Sequence, residues 1–93
     1  MVTHHTPRAY ERFRVRCWLT LDVNQRKVRV RAIEMSAAGA AVMSLSPVAV
    51  GANVMVRSHI ELLAGNAEVR YCKKRGLAYR IGLRFSRPLA ARF

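Results

Sequence analysis

Acidic residues, cysteines and long apolar runs are all scarce in this chain, and each shortage excludes a class of protein. Asp and Glu number five among 93 residues, against 17 Lys and Arg, and none has the paired spacing that acid–base catalysis requires. No apolar run approaches the roughly 20 residues of a membrane-spanning helix. The first residues lack the apolar core of a secretory signal, so Cys17 and Cys72 are expected to be buried thiols rather than a disulfide.

Signatures of enzymes and metal sites are also missing. The sequence has no glycine-rich phosphate-binding loop, and no nucleophile is arranged around His59. The adjacent His4 and His5, together with two distant cysteines, do not have the spacing of a zinc site. We therefore expect no enzymatic activity, no bound cofactor and no specific metal site.

The charge that is present is strongly basic, with a formal net charge of +12. A basic excess of this size indicates anionic partners: a nucleotide, nucleic acid, an anionic membrane surface or an acidic protein. Arginine outnumbers lysine by 14 to 3. Because the planar guanidinium group pairs with phosphate and guanine edges and stacks on bases, this ratio favours a nucleotide-like ligand. Solvated outward strand faces would account for most of these arginines.

Apolar and polar residues alternate with a period of two along most of the chain, which predicts β-strands. Six short strands are predicted, the first with an inward face from Phe13 to Leu21 and the last with one from Tyr79 to Phe85. A compact hairpin turn is predicted at Ala64-Gly-Asn66, followed by Val69 and Tyr71 on an inward face. This pattern predicts an all-β fold, either a small antiparallel barrel or a sandwich.

The two ends of the chain are predicted to differ from the strands between them. Residues 1–12 are expected to form a flexible N-terminal arm, and residues 13–93 the β-domain. The last six residues, Pro88 to Phe93, leave room for a short C-terminal helix of about two turns at most.

A pair of arginines lies in this arm. Arg8 and Arg12 are four residues apart, and Arg12 immediately precedes the apolar face that opens at Phe13. The same spacing recurs in this arginine-rich chain, but within strands, where the side chains are expected to face solvent. Two guanidinium groups on an arm can each bond bidentately to a phosphate or to O6 and N7 of guanine. The alternative is a basic tail without a partner.

A second motif, Glu34-Met-Ser-Ala-Ala-Gly39, interrupts the chain between the second and third predicted strands. Gly39 suits a backbone position with positive φ or the close approach of a ligand. Ser36 can cap the turn or donate to a ligand oxygen. The alternative is an ordinary hairpin turn whose Glu34 compensates nearby arginines.

Together, and in this order, the two motifs resemble the PilZ domain, whose pattern is Arg-x-x-x-Arg followed by Asp/Asn-x-Ser-x-x-Gly. Glu34 stands where that family has Asp or Asn. The resemblance extends over about residues 8–86, and Tyr79-Arg-Ile-Gly-Leu-Arg-Phe85 is similar to the family's closing strand.

The resemblance implies a six-stranded antiparallel barrel that acts in the bacterial cytoplasm as a non-enzymatic receptor for cyclic di-GMP and signals to an effector protein. It implies that Arg8 and Arg12 clamp phosphate and guanine. It also implies that Glu34, Ser36 and Gly39 shape the base-binding side of the ligand site.

Two other functions remain compatible with the sequence. A PilZ-like adaptor that has lost nucleotide binding is favoured by Glu34. Binding of single-stranded nucleic acid is favoured by Trp18, which is predicted to lie on the arginine-rich face of the first strand, because aromatic rings on basic barrels stack with bases. A tryptophan that merely covers a barrel edge is the structural alternative.

Overall fold

Six antiparallel strands close into a barrel in the computed structural model, which describes residues 13–58 and 64–87. The strands are β1 (Phe13–Val23), β2 (Arg26–Met35), β3 (Gly39–Ser44), β4 (Asn53–Ser58), β5 (Ala64–Arg75) and β6 (Ala78–Phe85). Their order is β1-β2-β3-β6-β5-β4, and β4 pairs with β1 to complete the barrel. In the closed barrel, each strand therefore pairs with a neighbour on both sides. The predicted all-β, six-stranded antiparallel barrel is confirmed.

Alternating side chains from every strand fill the barrel. The largest fully buried ones are Leu19, Leu21, Met35, Ile81, Val30, Val42, Val56 and Val69. Full burial of one such side chain stabilises a fold by about 1.5–3 kcal/mol. The inward faces predicted for the first and last strands are confirmed from Leu19 to Leu21 and from Ile81 to Phe85.

The β1–β2 connection is a two-residue hairpin. Val23 pairs with Arg26, and the residues between them, Asn24 and Gln25, have φ of 48° and 68°. Positive φ at both central positions is the conformation of a type I′ turn, whose twist matches that of paired strands. The long hairpin projects the basic residues of β1 and β2 from one continuous ladder.

The hairpin turn predicted at Ala64-Gly-Asn66 is wrong. These residues begin β5, where Ala64, Gly65 and Asn66 pair with Arg57, Val56 and Met55 of β4. This register continues the alternation that buries Ala67 and Val69, so the three small or polar residues belong to the ladder despite their turn-like composition. The connection from β4 to β5 lies within residues 59–63, outside the described residues, as does His59.

The inward orientation predicted for Tyr71 is also wrong. A β-bulge lies between Val69 and Tyr71, opposite β6, so Tyr71 pairs with Gly82 while Cys72 pairs with the buried Ile81. One extra residue in a strand reverses the faces of those that follow. Cys72 therefore packs against the core, and Tyr71 lies on the outer surface.

Both cysteines are free thiols that lie against the barrel core. Burial raises the pKa of the Cys17 thiol above its ordinary value. Because the thiolate is the reactive form, this desolvation makes Cys17 a weak nucleophile. Both thiols are only partly buried, so the predicted full burial of Cys17 and Cys72 is wrong.

Candidate functional site: a basic groove on β2, β3, β6 and β5

One cross-strand row crosses the outer surface of five strands. Arg14 of β1 pairs with Glu34 of β2, Glu34 with Ala41 of β3, Ala41 with Gly82 of β6, and Gly82 with Tyr71 of β5. Ala41 and Gly82 are the smallest residues in this row. They form the floor of a groove of about 300 Å³ that is bounded by larger side chains on either side.

Three β-bulges lie at the level of this row. They interrupt β1 between Arg14 and Cys17, β2 between Ala32 and Glu34, and β5 between Val69 and Tyr71. In β2, strict alternation from Ala32 would direct Glu34 into the core. The bulge instead buries Met35 and leaves Glu34 lining the groove. Bulges re-aim side chains and are common next to functional sites.

The turn between β2 and β3 is held together by Ser36. The amides of Ala38 and Gly39 donate to Ser36 Oγ at 3.1 and 3.2 Å, and the Ser36 amide donates to the carbonyl oxygen of Gly39 at 2.8 Å. Ser36 is only 8% exposed. Its hydroxyl therefore caps the turn, which is one of the two roles expected from the sequence.

Gly39 is required by the neighbouring strand rather than by its own φ, which is not in the positive region. A Cβ at this position would overlap the carbonyl oxygen of Leu83 in β6. The sequence suggested a positive φ or close approach of a ligand, whereas the structure shows close approach of backbone to backbone. Gly39 thus allows β3 and β6 to pair up to the edge of the groove.

Tyr71 forms one wall of the groove, and the sequence did not predict it there. Its ring covers Gly82, where a Cβ would overlap the ring atoms. Arg80 Nε donates a long hydrogen bond of 3.4 Å to the Tyr71 hydroxyl, and Lys73 Nζ lies 5.3 Å from the ring centroid. The aromatic ring is thus held between two cations. The outward orientation of Tyr71 could have been predicted only by anticipating the β5 bulge.

Arginines give the groove its electrostatic character. Arg70, Arg80 and Arg84 line it from β5 and β6, opposite Glu34. An ion pair of 3.2 Å joins Arg70 to Glu68. The guanidinium groups offer bidentate bonds to phosphate, and the Glu34 carboxylate offers acceptors for N–H groups of a base. The groove can therefore receive both halves of a nucleotide.

The predicted site residues fall into two groups. Glu34, Ser36 and Gly39 all line the groove. Arg8 and Arg12 lie outside the described residues. Within residues 13–58 and 64–87, no three His, Cys, Asp or Glu side chains gather as a metal site would require. The same residues include no helix long and apolar enough to cross a membrane.

The fold and the groove define a small closed β-barrel domain with a basic, nucleotide-sized depression on its outer surface. The PilZ domain model matches residues 6–92, and the chain belongs to the PilZ family. The predicted family is confirmed.

Among solved structures, the chain is similar to the Bacillus subtilis inhibitor of motility, MotI/DgrA, with a TM-score of 0.69 and 18% sequence identity. The alignment covers 92% of this chain and 46% of that one, so the chain spans about half the length of its structural neighbour. At this identity the likeness shows a shared fold. No curated protein sequence matches the chain.

Proposed function

We propose that this domain is a non-enzymatic cytoplasmic receptor that binds cyclic di-GMP in the groove and signals the binding to a partner protein. The family to which it belongs consists of receptor and adaptor domains of the cyclic di-GMP type. The observation that carries the proposal is the meeting, in one groove, of Glu34, the Ser36–Gly39 turn and arginines from two further strands.

Each half of the ligand has chemistry that suits the groove. The Glu34 carboxylate can accept hydrogen bonds from N1–H and N2–H of guanine. The ring of Tyr71 can stack against the flat face of the base. The phosphates suit Arg80 and Arg84 through charge-assisted bonds. On the groove floor, the Ala41 side chain is too small to obstruct a purine, and the Tyr71 ring lies over Gly82, where a base could stack beside it.

In this proposal, the arginine motif acts beside the groove. Phe13 opens β1 and pairs with Met35, which is the last residue of β2 and lines the groove. Arg12 immediately precedes Phe13 in the sequence. An extended chain spans at most about 3.6 Å per residue, so Arg8 begins within about 18 Å of Phe13. In this proposal, both guanidinium groups clamp the phosphates and guanine edges of the bound dinucleotide.

Glu34 is the residue at which the chain departs from the family pattern of Asp or Asn. Its side chain is one methylene longer, so the carboxylate must fold back to meet a guanine edge, which restricts its rotamers. The position of Glu34 in the groove row supports retention of the contact. In this proposal, Ser36 acts through the turn that it caps, since its hydroxyl already accepts from the Ala38 and Gly39 amides.

Calorimetric titration of the full chain with cyclic di-GMP, cyclic di-AMP and GTP tests this proposal. We expect cyclic di-GMP to bind, and the other two nucleotides to bind much more weakly, because only guanine on a two-phosphate ring satisfies both the carboxylate and the arginines. Absence of binding at high micromolar cyclic di-GMP would overturn the receptor function. It would favour a PilZ adaptor that has lost nucleotide binding.

A further inference from the structure

A second basic surface lies on the β1–β2 hairpin, away from the groove. Trp18 of β1 is 48% exposed, and the Arg29 guanidinium carbon lies 4.6 Å from its ring centroid. Trp18 pairs with Arg31 across the ladder, and both Arg16 and Arg31 are exposed. An exposed indole among three arginines provides a stacking face inside a field of positive charge.

This surface continues into a second depression at the opposite end of β2. Arg26, Lys27 and Arg29 line it from β2, and Ser44, Leu45 and Ser46 line it from the end of β3, enclosing about 290 Å³. Ser44 Oγ donates to the Ser46 carbonyl at 2.7 Å and accepts from the Ser46 amide at 3.0 Å, which fixes the far wall. Arg29 belongs both to this depression and to the stack on Trp18, so the two features form one continuous surface.

The second surface and the groove are separate. Among residues 13–58 and 64–87, none lines both depressions. Along β2, at about 3.3 Å per residue, Arg26 of the second depression is roughly 26 Å from Glu34, and Arg31, the residue of the second surface closest to Glu34 in sequence, is roughly 10 Å from it. The depression at the Arg26 end of β2 can therefore be occupied independently of the groove.

We infer that the β1–β2 surface binds single-stranded nucleic acid, with a base stacked on Trp18 and the phosphodiester backbone running over Arg29 and Arg31 to Arg26 and Lys27. This arrangement combines a basic track with an accessible aromatic ring, the two elements by which proteins hold single strands. An acidic peptide would pair with the arginines but has no repeated flat face for the indole. A duplex keeps its bases stacked and hidden from Trp18.

Trp18 is the single tryptophan of the chain, so its fluorescence reports on this surface directly. The test titrates the full chain with an oligothymidylate of about ten nucleotides, a length within the site size of small barrels, at about 150 mM salt. We expect quenching of Trp18, because a base stacks on it. Inorganic polyphosphate of equal charge should not quench, because it has no bases.

Variants separate stacking from charge. Trp18→Ala leaves the net charge unchanged and should weaken oligonucleotide binding about tenfold, measured by anisotropy of a labelled strand. Trp18→Phe should retain part of the affinity. Arg29→Ala should weaken binding more than Arg75→Ala, a control that removes an equal charge from an exposed residue at the end of β5. Melting temperatures show whether each variant remains folded.

Three results would overturn the inference. One is equal affinity of Trp18→Ala and the native chain, which would reduce the binding to non-specific attraction between a +12 protein and any polyanion. The second is stronger quenching by polyglutamate or anionic vesicles than by the oligonucleotide. The third is displacement of the oligonucleotide by saturating cyclic di-GMP, since the two surfaces are separate. The first two outcomes concern the Trp18 surface alone, so they do not depend on whether the groove binds cyclic di-GMP.

Discussion

The ring of Tyr71 lies so close to Gly82 that a Cβ at position 82 would overlap it, whereas a Cβ at Gly39 would overlap the backbone of Leu83. The two glycines therefore serve different purposes. Gly82 makes room for a side chain that can rotate away, and Gly39 makes room for a carbonyl group that is fixed in the β3–β6 ladder.

The substitutions Gly39→Ala and Gly82→Ala are expected to have different effects. Gly39→Ala should destabilise the barrel by about 1–3 kcal/mol, since overpacking against backbone forces strand movement. Gly82→Ala should cost less stability but move Tyr71 out of the groove and weaken cyclic di-GMP binding. Chemical denaturation and calorimetry measure the two effects. If Gly82→Ala proves the more destabilising of the two, the Tyr71 ring is held more rigidly than its outer-surface position indicates.

Ser36→Ala should reduce the stability of the β2–β3 turn. The substitution leaves the amides of Ala38 and Gly39 without their side-chain acceptor, and loss of such partners in a part-buried turn costs about 1–2 kcal/mol. Ser86→Ala, at an exposed serine, is the matched control. Unchanged denaturation of Ser36→Ala combined with a loss of ligand affinity would show that the hydroxyl contacts the ligand and not the turn.

Arg12→Ala should abolish cyclic di-GMP binding, and Arg16→Ala should change it little. A charge-assisted bond contributes about 1.5–3 kcal/mol, and Arg12 immediately precedes Phe13, which pairs with Met35 of the groove. Arg16 lies within β1, exposed on the hairpin surface. Both variants lower the net charge by one, so calorimetry compares position alone. Equal affinities for the two variants would mean that the wrong arginine pair has been assigned to the ligand.

Glu34→Asp should strengthen cyclic di-GMP binding, or create it if the native chain shows none. The shorter side chain restores the family residue and loses less rotamer entropy on binding. Glu34→Ala should weaken binding while leaving the fold intact, because Glu34 lies on the outer surface and not in the core. The test measures the affinity for cyclic di-GMP and the melting temperature of both variants. Weaker binding by Glu34→Asp would show that the site requires Glu, and unfolding of Glu34→Ala would make Glu34 a structural residue.

The sequence predicted the parts of the fold that obey strict alternation. Leu19, Leu21, Val30 and Ile81 are buried as their period-two phase requires. All four lie outside the segments that contain the three bulges. The assignment of Ala64 to Asn66 to a turn failed because composition favoured a turn, whereas pairing with β4 decided the structure. Strand pairing, and not local residue propensity, determined the structure of this segment.

Among the groove residues, the sequence predicted only those that belong to the Glu-x-Ser-x-x-Gly motif. Glu34, Ser36 and Gly39 were found from their spacing, and the structure brings them to one groove. Tyr71 was missed because a bulge in β5 sets its outward orientation, and bulges leave no reliable signal in hydrophobic alternation. Arg80 was placed on an outward strand face but was interpreted as a solvated side chain. The same effect in β2 directs Glu34 outward, so motif spacing succeeded there where alternation would have failed.

The central claim is that cyclic di-GMP occupies the groove on β2, β3, β6 and β5. The most direct test is the change in backbone amide chemical shifts of the full, isotope-labelled chain on addition of cyclic di-GMP. The account predicts that the largest shifts occur at Ser36, Gly39, Tyr71 and Gly82, with little change at Trp18 and Arg29 on the hairpin surface. Shifts confined to Trp18 and Arg29, or no shifts at saturating nucleotide, would contradict it.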